Sequence, residues 1–226
     1  MEYFKRVALL VLLVTLTIVT VITPVNAKEN FWGYAKSLVT NVHELGEQGV
    51  LALNYGDILK VKSLEEDFVN IVLSDDSLIK LPSDKVELIT TTDSTEDVYN
   101  KTYEKFENLN KVINFAYRQL GKMYKLGSTG PNNYDCSGLV QKAYEEIGVV
   151  ITRTISTQIT DGVSVDKKEN LKIGDLVFLD MYSRSGHVGI YVGDNKILHA
   201  STTGDKVKIS DIKYFNKYSG ARRIVY

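Results

Sequence analysis

Asp135-Cys136-Ser137-Gly138-Leu139-Val140 holds the only cysteine of a 226-residue chain, and its reading decides the fold of the C-terminal half. Leu139, Val140, Ala143, Tyr144 and Ile147 recur at the spacing of one helical face, and Gly148 supplies a stop. The spacing predicts a helix of about ten residues that opens at Cys136. Asp135 is a natural N-cap, which puts Cys136 in the first turn. There the unpaired backbone N–H groups and the positive end of the helix dipole favour a thiolate over a thiol. A lone cysteine is by default a small buried hydrophobe, so this placement is what marks it as a nucleophile. The Asp135 carboxylate opposes the bias, and its charge is expected to be taken up by capping or by a cation on the substrate.

Working outward, Leu109, Val112, Ile113, Ala116, Tyr117 and Leu120 form a second helical stripe ending at Gly121. Downstream come strand-like runs: Gly174 to Leu179, His187 to Val192, Lys196 to Ala200, and a last one around Ala221 to Tyr226. Helices first and an antiparallel sheet afterwards is an α+β order. Two of the chain's three histidines, His187 and His199, sit in these runs and are candidate bases for the thiol. Side chains alternate with period two along a strand, so both can serve one site only if the register is right. A two-residue Asp194-Asn195 turn would put them on opposite faces. The expectation is a three-residue Gly193-Asp194-Asn195 turn, with Asn195 left-handed, or a β-bulge. No Gly-rich phosphate loop and no paired-cysteine metal pattern is present.

The N-terminal half differs in character. Lys5-Arg6, an apolar run from Val7 to Ile22 and a small-residue ending at Ala27 have the pattern of a secretory signal peptide over residues 1–27. The run is shorter than the ~20 residues of a membrane span, so the membrane is expected to matter only through this segment before cleavage. In an exported chain an odd cysteine is either paired between chains or kept as a free reactive thiol. Leu51–Tyr55, Ile58–Lys62, Phe68–Leu73, Ser77–Leu81 and Val86–Ile89 read as short strands separated by turns, which indicates a small β-barrel over residues 28–90. Trp32 and His43 read as packing or surface residues. The polar stretch from Thr90 to Asp97 reads as the start of a linker, placed at residues 91–108, before a second domain at 109–226. Residues 1–110 carry 10 Lys+Arg against 17 Asp+Glu, and residues 111–226 carry 17 against 11. A modest basic excess without aromatic interleaving, in an exported chain, speaks against nucleic acid as a partner.

Tyr124, Asp135-Cys136-Ser137-Gly138-Leu139-Val140, Arg153-Thr154, Gly174-Asp175-Leu176-Val177-Phe178, His187-Val188-Gly189-Ile190-Tyr191-Val192-Gly193 and Ile197-Leu198-His199-Ala200 follow one another as in the NlpC/p60-type cysteine peptidases, which the second domain resembles. Gly56-Asp57-Ile58-Leu59-Lys60-Val61 resembles a strand of bacterial SH3-like wall modules, although Phe68-Val69-Asn70-Ile71 stands where these usually carry a tryptophan. The resemblance implies a papain-like α+β catalytic domain of helices and antiparallel sheet, preceded by the small SH3-like barrel. It implies Cys136 as nucleophile, His187 as general base, His199 as the residue that orients His187, and Tyr124 as an oxyanion donor beside the Cys136 N–H. Asp135, Ser137 and Arg153 match substrate-contacting positions, and Asp135 is expected to hold the free amine that begins a stem peptide. The implied activity is hydrolysis of peptidoglycan stem peptides, after γ-D-glutamate and before the diamino acid, by a secreted or wall-associated bacterial enzyme. No metal or cofactor is implied. Two alternatives are a non-catalytic wall-binding protein and a thiol amidase or acyltransferase acting on another exported substrate. Lys125-Leu126-Gly127-Ser128 departs from the tryptophan and glycine pair that relatives often carry after the tyrosine.

Overall fold

The computed structural model describes residues 33–37, 40–44, 50–54, 57–73, 78–89, 93–181 and 186–224. The signal-like residues 1–27 and Trp32 lie outside the described residues, as does the side chain of His43. The chain divides into two compact units: Met1–Leu38 with Gly56–Thr102, and Val39–Tyr55 with Tyr103–Tyr226.

Among the described residues seven strands come first: β1 (Gly33–Ser37), β2 (Asn41–Glu44), β3 (Val50–Leu53), β4 (Ile58–Leu64), β5 (Phe68–Val72), β6 (Leu78–Pro82) and β7 (Val86–Ile89). The first unit is an antiparallel sheet in the order β6-β5-β4-β1-β7. Leu59 and Val61 of β4 and Ile79 and Leu81 of β6 alternate inward, the period-two pattern of a half-buried sheet. β1 takes the place between β4 and β7 although its sequence, Gly-Tyr-Ala-Lys-Ser, carries no strand signature.

The strand expected at Leu51–Tyr55 is not part of that sheet. It is β3, which pairs with β2 in a hairpin belonging to the second unit. Val50 and Ala52 join the core formed by Leu109, Val112 and Ile113. The hairpin's outer backbone groups are met by side chains: Asn114 accepts from Val50 N at 2.9 Å and donates to Val50 O at 2.7 Å. Asn110 accepts from Ala52 N at 2.8 Å. In the other direction, the Asn54 side chain just after β3 accepts from the Ile173 backbone N at 2.9 Å. Two asparagines one helical turn apart thus stand in for a neighbouring strand.

Those asparagines lie on α1 (Asp93–Tyr117), so the stretch 91–108 expected to link the two domains is largely helical. A polar stretch with Asp93 followed three residues later by Glu96 also fits a helix start, because capping residues and turn residues are the same types. After α1 come β8 (Met123–Tyr124), β9 (Asn133–Tyr134), α2 (Cys136–Glu145), α3 (Ile155–Gln158), β10 (Val163–Ser164), β11 (Leu176–Leu179), β12 (His187–Tyr191), β13 (Lys196–Ala200), β14 (Val207–Asp211) and β15 (Tyr218–Arg223). The order β10-β15-β11-β12-β13-β14 makes an antiparallel sheet, with α2 packed on β12 and β13. Leu139, Val140, Ala143 and Tyr144 of α2 share one core with Phe178, Val188, Ile190 and Leu198 of the sheet, giving an α+β unit. Asp175 is buried and accepts both Arg223 Nε (2.8 Å) and Nη2 (2.7 Å), which ties the start of β11 to β15.

Candidate active site

Cys136 opens α2, capped by Asp135 as expected, with the Asp135 carboxylate accepting Gly138 N at 2.7 Å. The glycine after Ser137 is required by a close approach: a Cβ at Gly138 would lie 2.3 Å from the Ser128 carbonyl oxygen. That carbonyl accepts Asp135 N at 2.9 Å, so the 125–128 loop grips the head of the helix.

The structure corrects the expectation that Asp135 awaits a substrate cation. Asp135 is 4% exposed, and its carboxylate already faces Arg153, which donates Nη1 to Oδ1 (3.0 Å) and Nη2 to Oδ2 (2.6 Å). Gly127 N donates to Oδ2 at 2.7 Å. Arg153 Nη1 also donates to Ser137 Oγ at 2.9 Å. With its charge paired and both oxygens occupied, Asp135 has no reason to recruit an ammonium.

His187 and His199 point to the same face. Ile190 pairs with Leu198 and Tyr191 with Ile197, and Val192 N donates to Lys196 O at 3.0 Å, closing a three-residue turn. Asp194 (φ 48°) and Asn195 (φ 57°) are both left-handed there. The register sets His199 opposite Gly189, whose missing side chain leaves room: a Cβ would stand 3.1 Å from His199 Cβ. The rings meet edge to face, with His187 Nε2 and His199 Nδ1 2.7 Å apart. His199 Nε2 reaches Ser210 Oγ at 2.9 Å. This hydrogen-bond chain couples the tautomers of the two rings. If Ser210 accepts from His199 Nε2–H, His199 Nδ1 accepts from His187 Nε2–H, and His187 Nδ1 is the ring nitrogen left with a lone pair. Phe215 stacks on His187 at 17° between planes and meets His199 edge-on.

Electrostatics correct a second expectation. Burial, and then the Asp135 charge, push the Cys136 thiol up to about 11, against hydrogen bonds from backbone N–H groups that favour the thiolate. Burial pulls His187 down to about 4, opposed by the Asp180 carboxylate. Burial, the neighbouring His187 and Lys208 pull His199 down to about 3. At neutral pH the resting site is therefore a thiol beside a neutral imidazole, and helix-dipole stabilisation does not outweigh desolvation. Stability depends on pH accordingly. Both imidazoles are neutral when folded and gain protons on unfolding below about pH 6.5, so stability is full above that value and falls as pH drops toward 4. Between pH 7 and 5 each histidine is expected to remove about 2 kcal/mol. Urea unfolding at the two pH values should show His199→Gln losing about 2 kcal/mol less than the parent protein, and equal losses would rule this out.

Cys136, His187, Tyr124 and Arg153 line one cleft of about 1110 Å³, together with Leu126 and Asp180. Tyr124 is half-buried, and burial, then Cys136 once ionised and the Asp135 carboxylate, push its hydroxyl above the ordinary tyrosine value. The structure thus brings all seven candidate residues together, with His199 behind His187. It adds three that the sequence reading missed. Ser210 and Phe215 carry no motif signal. Gln158 is fully buried and donates to Ser137 O (3.0 Å) and Thr152 O (2.8 Å), clamping the Arg153 segment onto α2.

The NlpC/P60 family profile matches residues 121–223, the stretch that builds this cleft. The chain is 33% identical over 132 residues to an Escherichia coli protein named murein DD-endopeptidase MepS/murein LD-carboxypeptidase, covering 54% of this chain and 70% of that protein. It is 36% identical over 131 residues to E. coli murein DD-endopeptidase MepH, covering 54% of this chain and 48% of that one. With a protein of Corynebacterium glutamicum named "Probable endopeptidase Cgl2188" it shares 35% identity over 111 residues, 49% of this chain and about half (52%) of the relative. A solved NlpC/P60 family protein from Bacillus cereus aligns at a TM-score of 0.49 and 24% identity, over 85% of this chain and 63% of that one. The chain belongs to the NlpC/P60 family.

Proposed function

We propose that the protein is an exported cysteine peptidase that hydrolyses peptidoglycan stem peptides, cutting after γ-D-glutamate and before the diamino acid. The observation that carries this reading is a cysteine at a helix head, in one cleft with a histidine whose Nε2 is bound to a second histidine. His187 Nδ1 takes the Cys136 proton as Sγ attacks the carbonyl, and the imidazolium returns it to the leaving amine. His199 acts through orientation, since a neutral imidazole accepts the Nε2–H without adding charge. The N–H of Cys136 at the first helical position has no partner within the helix, and with the Tyr124 hydroxyl it stabilises the oxyanion. Export rests on the pattern of residues 5–27, and the SH3-like reading of the N-terminal sheet rests on Gly56 to Val61.

A second reading follows from the names of the two E. coli relatives, which specify a DD bond in murein. Digesting purified muropeptides with the full chain and with Cys136→Ala, followed by mass spectrometry, tests both. Release of L-Ala-γ-D-Glu, or of chains ending in γ-D-Glu, supports the first reading. Separation of cross-linked dimers into monomers without those products supports the second. Unchanged muropeptides would overturn peptidase function altogether.

A further inference from the structure

A general base that starts neutral must carry a positive charge partway through the reaction. His187 does so at 8% exposure, where little water reaches the ring and an isolated charge is costly. His199 accepts the Nε2–H but brings no negative charge of its own, and the Asp180 carboxylate acts on the ring through its field. On one face of the imidazole lies a different kind of group. Phe215 is stacked on His187 with ring centroids 5.6 Å apart and 17° between planes, and it lines the cleft beside it.

The backbone holds the Phe215 ring in that place. It follows a 3₁₀ turn, Ile212–Tyr214, at whose head Asp211 accepts Lys213 N at 2.9 Å. Ile212 is buried and donates its N–H to Asn195 O at 2.8 Å, and Phe215 N donates to Ile212 O at 3.2 Å. The segment that presents Phe215 is thus fastened to the same turn that sets the register of His199. An aromatic face is the negative side of a quadrupole, so it attracts a cation within about 6 Å of its centroid more strongly than a neutral ring. Burial holds the resting His187 neutral, so this attraction appears only with the arriving proton. A contact stronger in the transition state than in the ground state is the kind that raises kcat.

Resting on the proposed peptidase reading, we infer that Phe215 is a positioning residue for the general base, its π face stabilising the His187 imidazolium by a cation–π contact while the thiol reacts. The Cys136 proton passes to His187 Nδ1 as the Sγ–C bond forms, and it leaves with the amine as the C–N bond breaks, so the charge under the Phe215 ring exists only between those two transfers. Phe215 also meets His199, at 5.5 Å and 71°, and so covers both rings of the dyad. Cover alone needs only an apolar side chain of that size. Stabilising the imidazolium needs the electrons of the ring face, and this difference makes the two roles separable.

The test replaces Phe215 in the full chain by mono-, di- and trifluorinated phenylalanine and follows single-turnover hydrolysis of a purified muropeptide. Each fluorine withdraws electron density from the ring face while keeping its shape and apolar character. The saturating rate is expected to fall stepwise, by about 3- to 30-fold with the trifluorinated ring, while the half-saturating concentration and the melting temperature stay unchanged. Phe215→Tyr keeps the ring face and should remain within about threefold of the unmodified enzyme, whereas Phe215→Leu should lose at least as much as the trifluorinated protein. If Phe215→Leu does not fold, the fluorinated series decides alone. A flat or rising rate across that series would reduce Phe215 to packing, and a change confined to the half-saturating concentration would place the ring against the substrate. Either result overturns the inference while leaving the peptidase intact. If the unmodified enzyme leaves every muropeptide uncut, the peptidase reading fails and this inference fails with it.

Discussion

Replacing Cys136 by alanine is expected to lower stem-peptide hydrolysis by at least about 10⁴-fold, to the limit of detection, while costing the fold only about 1 kcal/mol. The two effects separate because of where the residue sits. Cys136 is 5% exposed and packs in the shared core of α2 and the sheet, so alanine removes one sulfur and leaves the helix, its Asp135 cap and the Gly138 contact in place. The chemistry has no substitute: this is the only thiol in the chain, and the neighbouring Ser137 hydroxyl is engaged with Arg153. His187→Ala should cost nearly as much, and the double variant little more than either, because a nucleophile and its base act as one unit. A melting curve beside a turnover assay checks both halves. Retained hydrolysis in Cys136→Ala would eliminate the thiol mechanism; a collapse of the melting temperature would show that Cys136 is mainly a packing residue.

A chain beginning at residue 103 is expected to be poorly folded, although it contains every candidate active-site residue. It lacks the β2–β3 hairpin, which supplies Val50 and Ala52 to the core of the second unit and occupies the amides of Asn110 and Asn114. Two buried apolar side chains and at least four hydrogen bonds amount to roughly 5 kcal/mol, comparable with the whole stability of a typical domain. In the intact chain, Asn114→Ala removes one part of this clamp and should cost about 1–3 kcal/mol by leaving the Val50 backbone groups unmet. Thermal unfolding of the shortened chain and of the variant measures both. A shortened chain that melts cooperatively near the temperature of the full protein would show that the hairpin is only an appendage.

Much of the second unit was legible because its residues do two jobs at once. The Asp135 cap, the stripe through Tyr144 and the Gly148 stop are local signals, and local energetics decided them. The three-residue turn was one of two arrangements, the other being a β-bulge, that keep the two histidines on one face, and the structure takes the first. What stayed hidden was set by tertiary partners. β1 is a strand because β4 and β7 pair with it on either side, and β3 left its expected sheet because asparagines 58 and 64 residues away in sequence offer it an edge. The same holds inside the cleft. That Arg153 would occupy Asp135 could not be read from two residues 18 positions apart, and the raised thiol depends on a degree of burial that no motif reports.

The Gly193-Asp194-Asn195 turn therefore works as a counter. Surface connections usually tolerate insertions and deletions, since little is packed against them. Here each residue gained or lost would flip the returning strand by one step of its pleat, sending the His199 ring out of the dyad and a neighbouring side chain into its place. A loop with no part in the chemistry thereby carries a parity constraint: its composition can vary within the left-handed conformations it needs, while its length can change only by an even number of residues if both rings are to stay on one face.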